Sequence, residues 1–303
     1  MLAPATVAAL VELARDHGSA QLTLVEEGRR IVDEVFDAAP VDVYAVQKGL
    51  VSLLIGIAEE KYLLEVVDNV NHHLEPEWTK LSPWNEASLT IEHLLTMTTG
   101  MDDDLAPLGE IGVTWRYNNA AYNYLKKILC YHTDLSLDEV TRRWLLEPLG
   151  MHETRWEDRK ARLPDGRPVT GLMSTANDLA ALGTVVMDAD GSSFVPAYYL
   201  ERMVAPGSSE NPAWGFCWWN NAQSHYKVPM REEKTRQGPV MPGAPADTIA
   251  ARGALENGLY VIPSRKLVIA RTSLRESKPG FEQRMFELLG PWLNVKEGES
   301  AWN

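Results

Sequence analysis

Three short stretches of the chain carry residue types at spacings that suit chemistry. The first is Tyr44-Ala45-Val46-Gln47-Lys48, which continues through Gly49-Leu50-Val51-Ser52-Leu53-Leu54-Ile55-Gly56-Ile57-Ala58. Residues 45–58 read as one helix that is apolar on all sides, and such a helix is normally buried. A lysine near its first turn either snorkels to the surface or lies in an interior cleft with a lowered pKa. In the cleft, a desolvated ammonium loses its proton more easily and the amine can act as a general base. The second stretch is Trp115-Arg116-Tyr117-Asn118-Asn119-Ala120-Ala121-Tyr122. Asparagine pairs ahead of a helix commonly serve as turns and caps. The third is Ala251-Arg252-Gly253-Ala254, in a β-rich run where a glycine marks a bulge or the close approach of another backbone. Each signal is weak alone; together and in this order they point to one site.

Those residues need elements to hold them. An amphipathic first helix is expected from Val7, Leu10, Val11 and Ala14, with Pro4 early and Gly18 beyond its end. The β-rich runs 21–25 and 30–36, joined by Glu26-Glu27-Gly28, predict a hairpin. Helical patterns follow at 90–97, 120–129, 137–146 and 174–187. Strand character returns at 214–219, then at 247–255, 259–262 and 267–272, with Asn257-Gly258 as a hairpin signal between two of these runs. A last amphipathic helix is expected at 281–293. The fold class predicted is α+β: one antiparallel sheet built from both chain ends, flanked by helices and carrying a mostly helical insertion. A single domain over 1–303 is expected, with a sheet lobe from 1–44 and 214–303 and a helical lobe from 45–213.

Composition narrows the function. The 42 acidic and 29 basic side chains leave a formal charge of −13, which argues against nucleic acid and against anionic membranes. No window approaches the length of apolar sequence that a membrane span needs. The apolar N-terminus lacks a basic n-region and is interrupted by Glu12, Arg15 and Asp16, so no export signal is expected. Cys130 and Cys217 are expected as reduced thiols in a cytoplasm. The seven histidines show no metal-ligand spacing, and neither metal nor cofactor is expected.

Five landmarks in order extend the pattern: Leu24-Val25-Glu26-Glu27-Gly28-Arg29, residues 45–58, Ile91-Glu92-His93-Leu94-Leu95-Thr96-Met97-Thr98-Thr99-Gly100, Glu147-Pro148-Leu149-Gly150-Met151, and residues 171–180 beginning Gly171-Leu172-Met173-Ser174. With them, nearly the whole chain resembles the serine β-lactamase and penicillin-binding-protein superfamily, especially its class C-like esterases, amidases, D-aminopeptidases and nylon-oligomer hydrolases. The family's S-x-x-K fits Ala45-Val46-Gln47-Lys48 in everything except the serine. Its Y-x-N matches Tyr117-Asn118-Asn119, and its third motif matches only at Gly253, because Ala251 stands where Lys or His is usual. The resemblance implies Ala45 at the nucleophile position, Lys48 and Tyr117 in the proton relay, and Asn119 on the substrate. It also implies backbone N–H groups of Ala45 and Ala254, beside Gly253, as the oxyanion hole. Trp214, Trp218, Trp219 and Tyr226 are ordinary core residues by type, but the corresponding region of related enzymes borders the acyl pocket, and Trp219 is assigned there.

Alanine supplies no nucleophile. The one literal S-x-x-K, Ser224-His225-Tyr226-Lys227, runs into Val228-Pro229 and is not expected on a helix. Either a serine was replaced in an active enzyme, the reading favoured because Lys48, Tyr117 and Asn119 are intact, or the chain is a natural protein that binds without cleaving. The substrate expected is a small ester, amide or lactone, because the cation that would hold a carboxylate is missing at Ala251. A β-lactamase or D-peptidase is the second enzymatic reading.

Overall fold

The computed structural model describes residues 2–187 and 195–294. Helix α1 (Pro4–Asp16) starts on Pro4, whose missing N–H is harmless in a first turn, and buries Leu10 and Ala14. Strands β1 (Ser19–Glu26) and β2 (Arg29–Val35) form the expected hairpin. Its two-residue turn, Glu27-Gly28, has φ of 49° and 75°, the doubly positive geometry that matches strand twist.

From the other end of the chain come β6 (Trp219–Asn220), β9 (Ile249–Arg252), β10 (Gly258–Ile262) and β11 (Leu267–Ser273). They join the hairpin in one antiparallel sheet, ordered β2-β1-β11-β10-β9-β6, with Ser19 opposite Ser273 and Glu26 opposite Leu267. The two chain ends therefore share one sheet, as the sequence predicts. Every residue of β10 and β11 is buried, because helices cover both faces. Helix α8 (Ala176–Met187) lies on β1, β10 and β11, where Gly183 leaves room for Leu259 and Val268. The alternate residue Tyr260 turns to α10 (Phe281–Leu293), which packs beside α1.

Beside β9 runs α2 (Gln47–Glu60), buried along almost its whole length. Its two glycines face aromatic rings: a Cβ on Gly49 would lie 2.8 Å from the Trp218 ring, and one on Gly56 2.6 Å from Tyr199. The middle of the chain supplies α3 (Pro83–Ala87), α4 (Ile91–Thr96), α5 (Asn119–Thr133), α6 (Leu137–Thr141) and α7 (Glu147–Leu149), with α9 (Ala197–Val204) after α8.

Several local expectations need correction. The stretch read as helical also carries β4 (Arg155–Arg162) and β5 (Pro168–Ser174), which pair with β3 (Val41–Asp42) in the order β3-β5-β4. The helix expected at 137–146 widens into a π-turn at Arg142–Leu146, just ahead of Pro148, which has no N–H to continue the ladder. Of the strand expected at 214–219 only Trp219 lies in a strand, β6, with Trp214 bridging back to it, and a hairpin of β7 (His225–Val228) and β8 (Arg231–Gln237) follows outside the main sheet. Ser224-His225-Tyr226-Lys227 therefore leads into a strand. Between β9 and β10 the positive φ angles fall on Leu255 and Glu256, not on the Asn-Gly pair. Asn257 is instead buried, donating to Ala254 O (2.7 Å) and accepting from Ser273 N (2.9 Å). Among the described residues no helix is long and apolar enough to cross a membrane, and no group of three or more His, Cys, Asp or Glu could hold a metal ion.

Arg271 ties these layers together from the middle of β11. Its fully buried guanidinium donates to Ser19 Oγ (2.7 Å), His17 O (3.1 Å), Leu255 O (3.1 Å) and Glu256 O (2.9 Å), and lies 4.2 Å from the centre of the Phe281 ring. Burial lowers its pKa to about 10, so it stays charged at neutral pH. Arg271→Met would leave those acceptors buried and unpaired, and is expected to cost about 3 kcal/mol, measured as a lower urea midpoint with unchanged slope.

Candidate active site

The segment ahead of α2 is held in an unusual shape. Tyr44 has φ of 50°, a left-handed conformation that costs a non-glycine residue energy. Asp42 Oδ1 accepts the Tyr44 N–H (2.8 Å), and Arg159 from β4 grips the same carboxylate through Nε (2.8 Å) and Nη2 (2.5 Å). Gly171 on β5 makes room for that arginine, since a Cβ there would lie 2.6 Å from its Nε. The result is a 3₁₀ turn, Tyr44–Val46, so Ala45 sits just before the α-helix rather than inside it.

One turn later, Lys48 points into the interior. It is 3 % exposed, its Nζ donates to Asn119 Oδ1 (2.8 Å), and it lies 4.1 Å from the centre of the Tyr122 ring and 4.9 Å from that of Tyr117. Of the two placements open to this lysine, the chain adopts the interior cleft. Desolvation lowers its pKa to about 8, with the nearby Arg159 charge adding a little in the same direction. Cys217 sits close by as a neutral thiol, because burial pushes it up to about 12.

The Tyr117-Asn118-Asn119 stretch divides its work. Asn118 is the cap: its Oδ1 accepts the Ala121 N–H (2.9 Å) and its Nδ2 donates to Met101 O and Asp102 O. Asn119, the first residue of α5, is thereby turned toward Lys48. Tyr117 meets Trp214 edge-on at 5.7 Å between ring centres, and Trp214 meets Trp219 in the same way at 4.9 Å. Among the described residues the Tyr117 phenol has no hydrogen-bond partner, and burial raises its pKa well above the ordinary value.

The opposite wall comes from the end of β9. A Cβ on Gly253 would stand 2.3 Å from Val43 O and 3.2 Å from Ala45 N, so only glycine lets this strand close on the turn that carries Ala45. Ala251 is buried behind the wall, near Gly49 of α2. Arg252 projects the other way, along the cavity, as strand alternation predicts. Its guanidinium is held bidentately by Glu282 of α10, at 2.7 Å from Nε and 2.6 Å from Nη2, and Glu282 also accepts the Tyr260 hydroxyl (2.7 Å).

Ala45, Lys48, Tyr117, Asn119, Trp219, Gly253 and Ala254 all line one cavity of about 640 Å³. The sequence-derived set is thus brought together whole. Sequence reasoning missed Tyr122, Arg159, Glu282 and the Val228-Pro229-Met230 turn, which also line it, as does Arg252 beside Gly253. Tyr122 follows the capped Asn119 closely enough to have been found; the others come from distant elements and leave no local signal.

Keeping Lys48 buried has a cost with a defined pH dependence. Between pH 8 and 10.5 the unfolded chain holds a proton at this residue that the folded chain has lost, so stability rises with pH across that window. Below it the full penalty applies, roughly 3 kcal/mol. Lys48→Met is therefore expected to be more stable than the unaltered chain at pH 7, by about 1–3 kcal/mol. The gain should fade as pH approaches 10.5, followed by urea unfolding at pH 7 and pH 10.

Comparison with known proteins agrees with this fold. The chain is similar in structure to a putative beta-lactamase from Bacteroides dorei DSM 17855 (TM-score 0.70, 12% identity, 96% of this chain and 98% of that one). It is also similar to the D-alanine carboxypeptidase AmpC from Burkholderia cenocepacia (0.69, 17%, 95% and 98%). A third likeness is to EstCE1, described as a hydrolase with promiscuous acyltransferase activity (0.69, 14%, 94% and 98%). No protein of curated function matches the sequence. At such identities the structures speak for the fold alone, but the family model described as Beta-lactamase matches residues 6–289. The chain belongs to the beta-lactamase family.

Proposed function

We propose that the chain is the scaffold of a serine hydrolase for a small ester, amide or lactone, working through an acyl-enzyme, in which Ala45 stands in place of the nucleophilic serine. The observation that carries this reading is the buried Lys48 amine, opening onto the cavity three residues after position 45 and held by Asn119. A hydroxyl at position 45 would share its side of the turn with that amine, which could accept the proton as the oxygen attacks a carbonyl. Backbone N–H groups of Ala45 and Ala254 would receive the negative charge on the carbonyl oxygen, a role that needs no side chain. The Tyr117 phenol, kept protonated by burial, is the donor to the leaving group. The acyl group would rest against Trp219.

The walls favour an uncharged substrate. Ala251 offers no cation, and Arg252 and Arg159 are each neutralised by a carboxylate, Glu282 and Asp42. That supports an esterase or amidase over a β-lactamase or D-peptidase. The two free cysteines agree with a cytoplasmic location. The departures at both Ala45 and Ala251 also suit a natural protein that binds an acyl ligand without cleaving it.

The unaltered chain is expected to form no acyl-enzyme, while Ala45→Ser should hydrolyse an activated ester such as p-nitrophenyl acetate. Its kcat/KM should rise with pH as Lys48 deprotonates near pH 8 and then level off. Adding Lys48→Ala should lower it by about 10²–10⁴-fold. A folded Ala45→Ser protein inert toward esters, amides and β-lactams alike would favour the binding protein. Better turnover of penicillins than of simple esters would overturn the argument from the neutral walls.

A further inference from the structure

Two lysines are buried where α2 meets α5, and they are held in opposite ways. Lys126 of α5 donates to Gln47 Oε1 (2.7 Å), Thr170 Oγ1 (2.8 Å) and Thr170 O (3.1 Å), so three acceptors take up its hydrogens, and it does not line the cavity. Lys48 has one acceptor, the amide oxygen of Asn119, and two ring faces. No carboxylate pairs with it among the described residues, because Asp42 and Glu282 are committed to Arg159 and Arg252. With alanine at position 45, nothing of that side chain except a methyl group stands between the Lys48 nitrogen and the cavity. A neutral amine donating one hydrogen to Asn119 keeps its lone pair for whatever the cavity holds.

We propose that Lys48 is itself a nucleophile in this chain, capturing apolar aldehydes and ketones in the cavity as a Schiff base. The site is the same cavity, but the inference does not depend on the hydrolytic reading. The nitrogen lone pair forms the new C–N bond while the carbonyl π pair moves to oxygen, where the N–H groups of Ala45 and Ala254 can receive it. A proton passes from nitrogen to that oxygen, giving a carbinolamine. The nitrogen lone pair then expels the oxygen as the C–O bond breaks, Tyr117 donating the proton that lets it leave as water, and the iminium nitrogen returns its proton to the Tyr117 oxygen. Amine and carbonyl compound thus give imine and water, with no change of oxidation state. An amine in a desolvated pocket is the setting in which lysine performs this chemistry. The aromatic walls at Tyr117, Tyr122 and Trp219, in a space of about 640 Å³, select an apolar carbonyl compound, for example an aryl aldehyde.

The test uses the unaltered chain, benzaldehyde as the probe and sodium cyanoborohydride as the trapping reductant, with benzylated lysines located by peptide mass spectrometry. At limiting aldehyde, Lys48 should be modified at least tenfold faster than any other lysine, and its rate should climb as pH rises through about 8. Lys126, equally hidden but saturated with acceptors, should stay unmodified. Restoring the hydroxyl with Ala45→Ser should slow capture at Lys48. Modification confined to exposed lysines, with Lys48 intact, overturns the proposal. Ester hydrolysis by Ala45→Ser is a separate readout: its presence without capture would sink this inference alone, and capture with an inert Ala45→Ser protein would sink the hydrolase reading alone.

Discussion

An amine enclosed without a counter-ion is the constraint around which this molecule is arranged. The penalty of about 3 kcal/mol is a large share of the 5–15 kcal/mol by which folded domains are usually stable, so the lysine must be kept inside by more than its own hydrogen bond. The enclosure is built from several sides. Trp218 presses on Gly49, one residue after the lysine, and donates to Gly49 O (3.3 Å). Tyr122 and Tyr117 present ring faces that soften the loss of water around the nitrogen. Asn118 spends its whole side chain fixing the turn that delivers Asn119. Among the described residues neither buried lysine has a carboxylate partner; what separates them is that three acceptors take up the hydrogens of Lys126, whereas Lys48 has one acceptor and faces the cavity.

The arginines at the cavity obey a second rule: each is paired with a carboxylate. The Arg159–Asp42 and Arg252–Glu282 pairs are partly exposed, each with bidentate geometry that fixes a backbone as well as a charge. One pair holds the strained turn at Tyr44; the other ties the end of β9 to α10. A chain with a formal charge of −13 thus presents a reaction cavity whose two arginines are each matched by a carboxylate. That matching is local, made by geometry and not by composition.

Much of this was legible in the sequence, for reasons that differ by residue. Pro4 and the Glu27-Gly28 turn are local signals, read correctly because a φ preference needs no tertiary partner. Gly253 was legible as a close backbone approach, and the approach is to Val43 and Ala45. The Asn257-Gly258 pair announced a hairpin that exists, but the left-handed residues are Leu255 and Glu256, since Asn257 is more useful buried against Ser273. Lys48 could not be placed by its own neighbourhood: snorkelling and burial fit the same helix, and the difference lies in Asn119, Tyr117 and Tyr122, which meet it only in the folded chain. Arg159, Glu282 and Lys126 were invisible for the same reason, as their partners lie in remote elements. The strands β4 and β5 were passed over because charged residues fill β4, which is largely exposed.

The pairing of the two chain ends carries a consequence for how the protein comes into being. Ser19 and Arg271, joined side chain to side chain, are 252 residues apart in sequence. The wall at Gly253 likewise belongs to strands that are synthesised long after α2. While the chain emerges from a ribosome, α2 and α5 can form, but the sheet that covers them cannot close, and the amine of Lys48 meets ordinary water with an ordinary proton affinity. Contacts of such long span also make closure of the sheet the slow part of folding. The chemistry of the cavity is therefore completed late: a chain that stops before residue 218 has the helix, its lysine and α5, yet lacks the Trp218 and Gly253 contacts that close the enclosure.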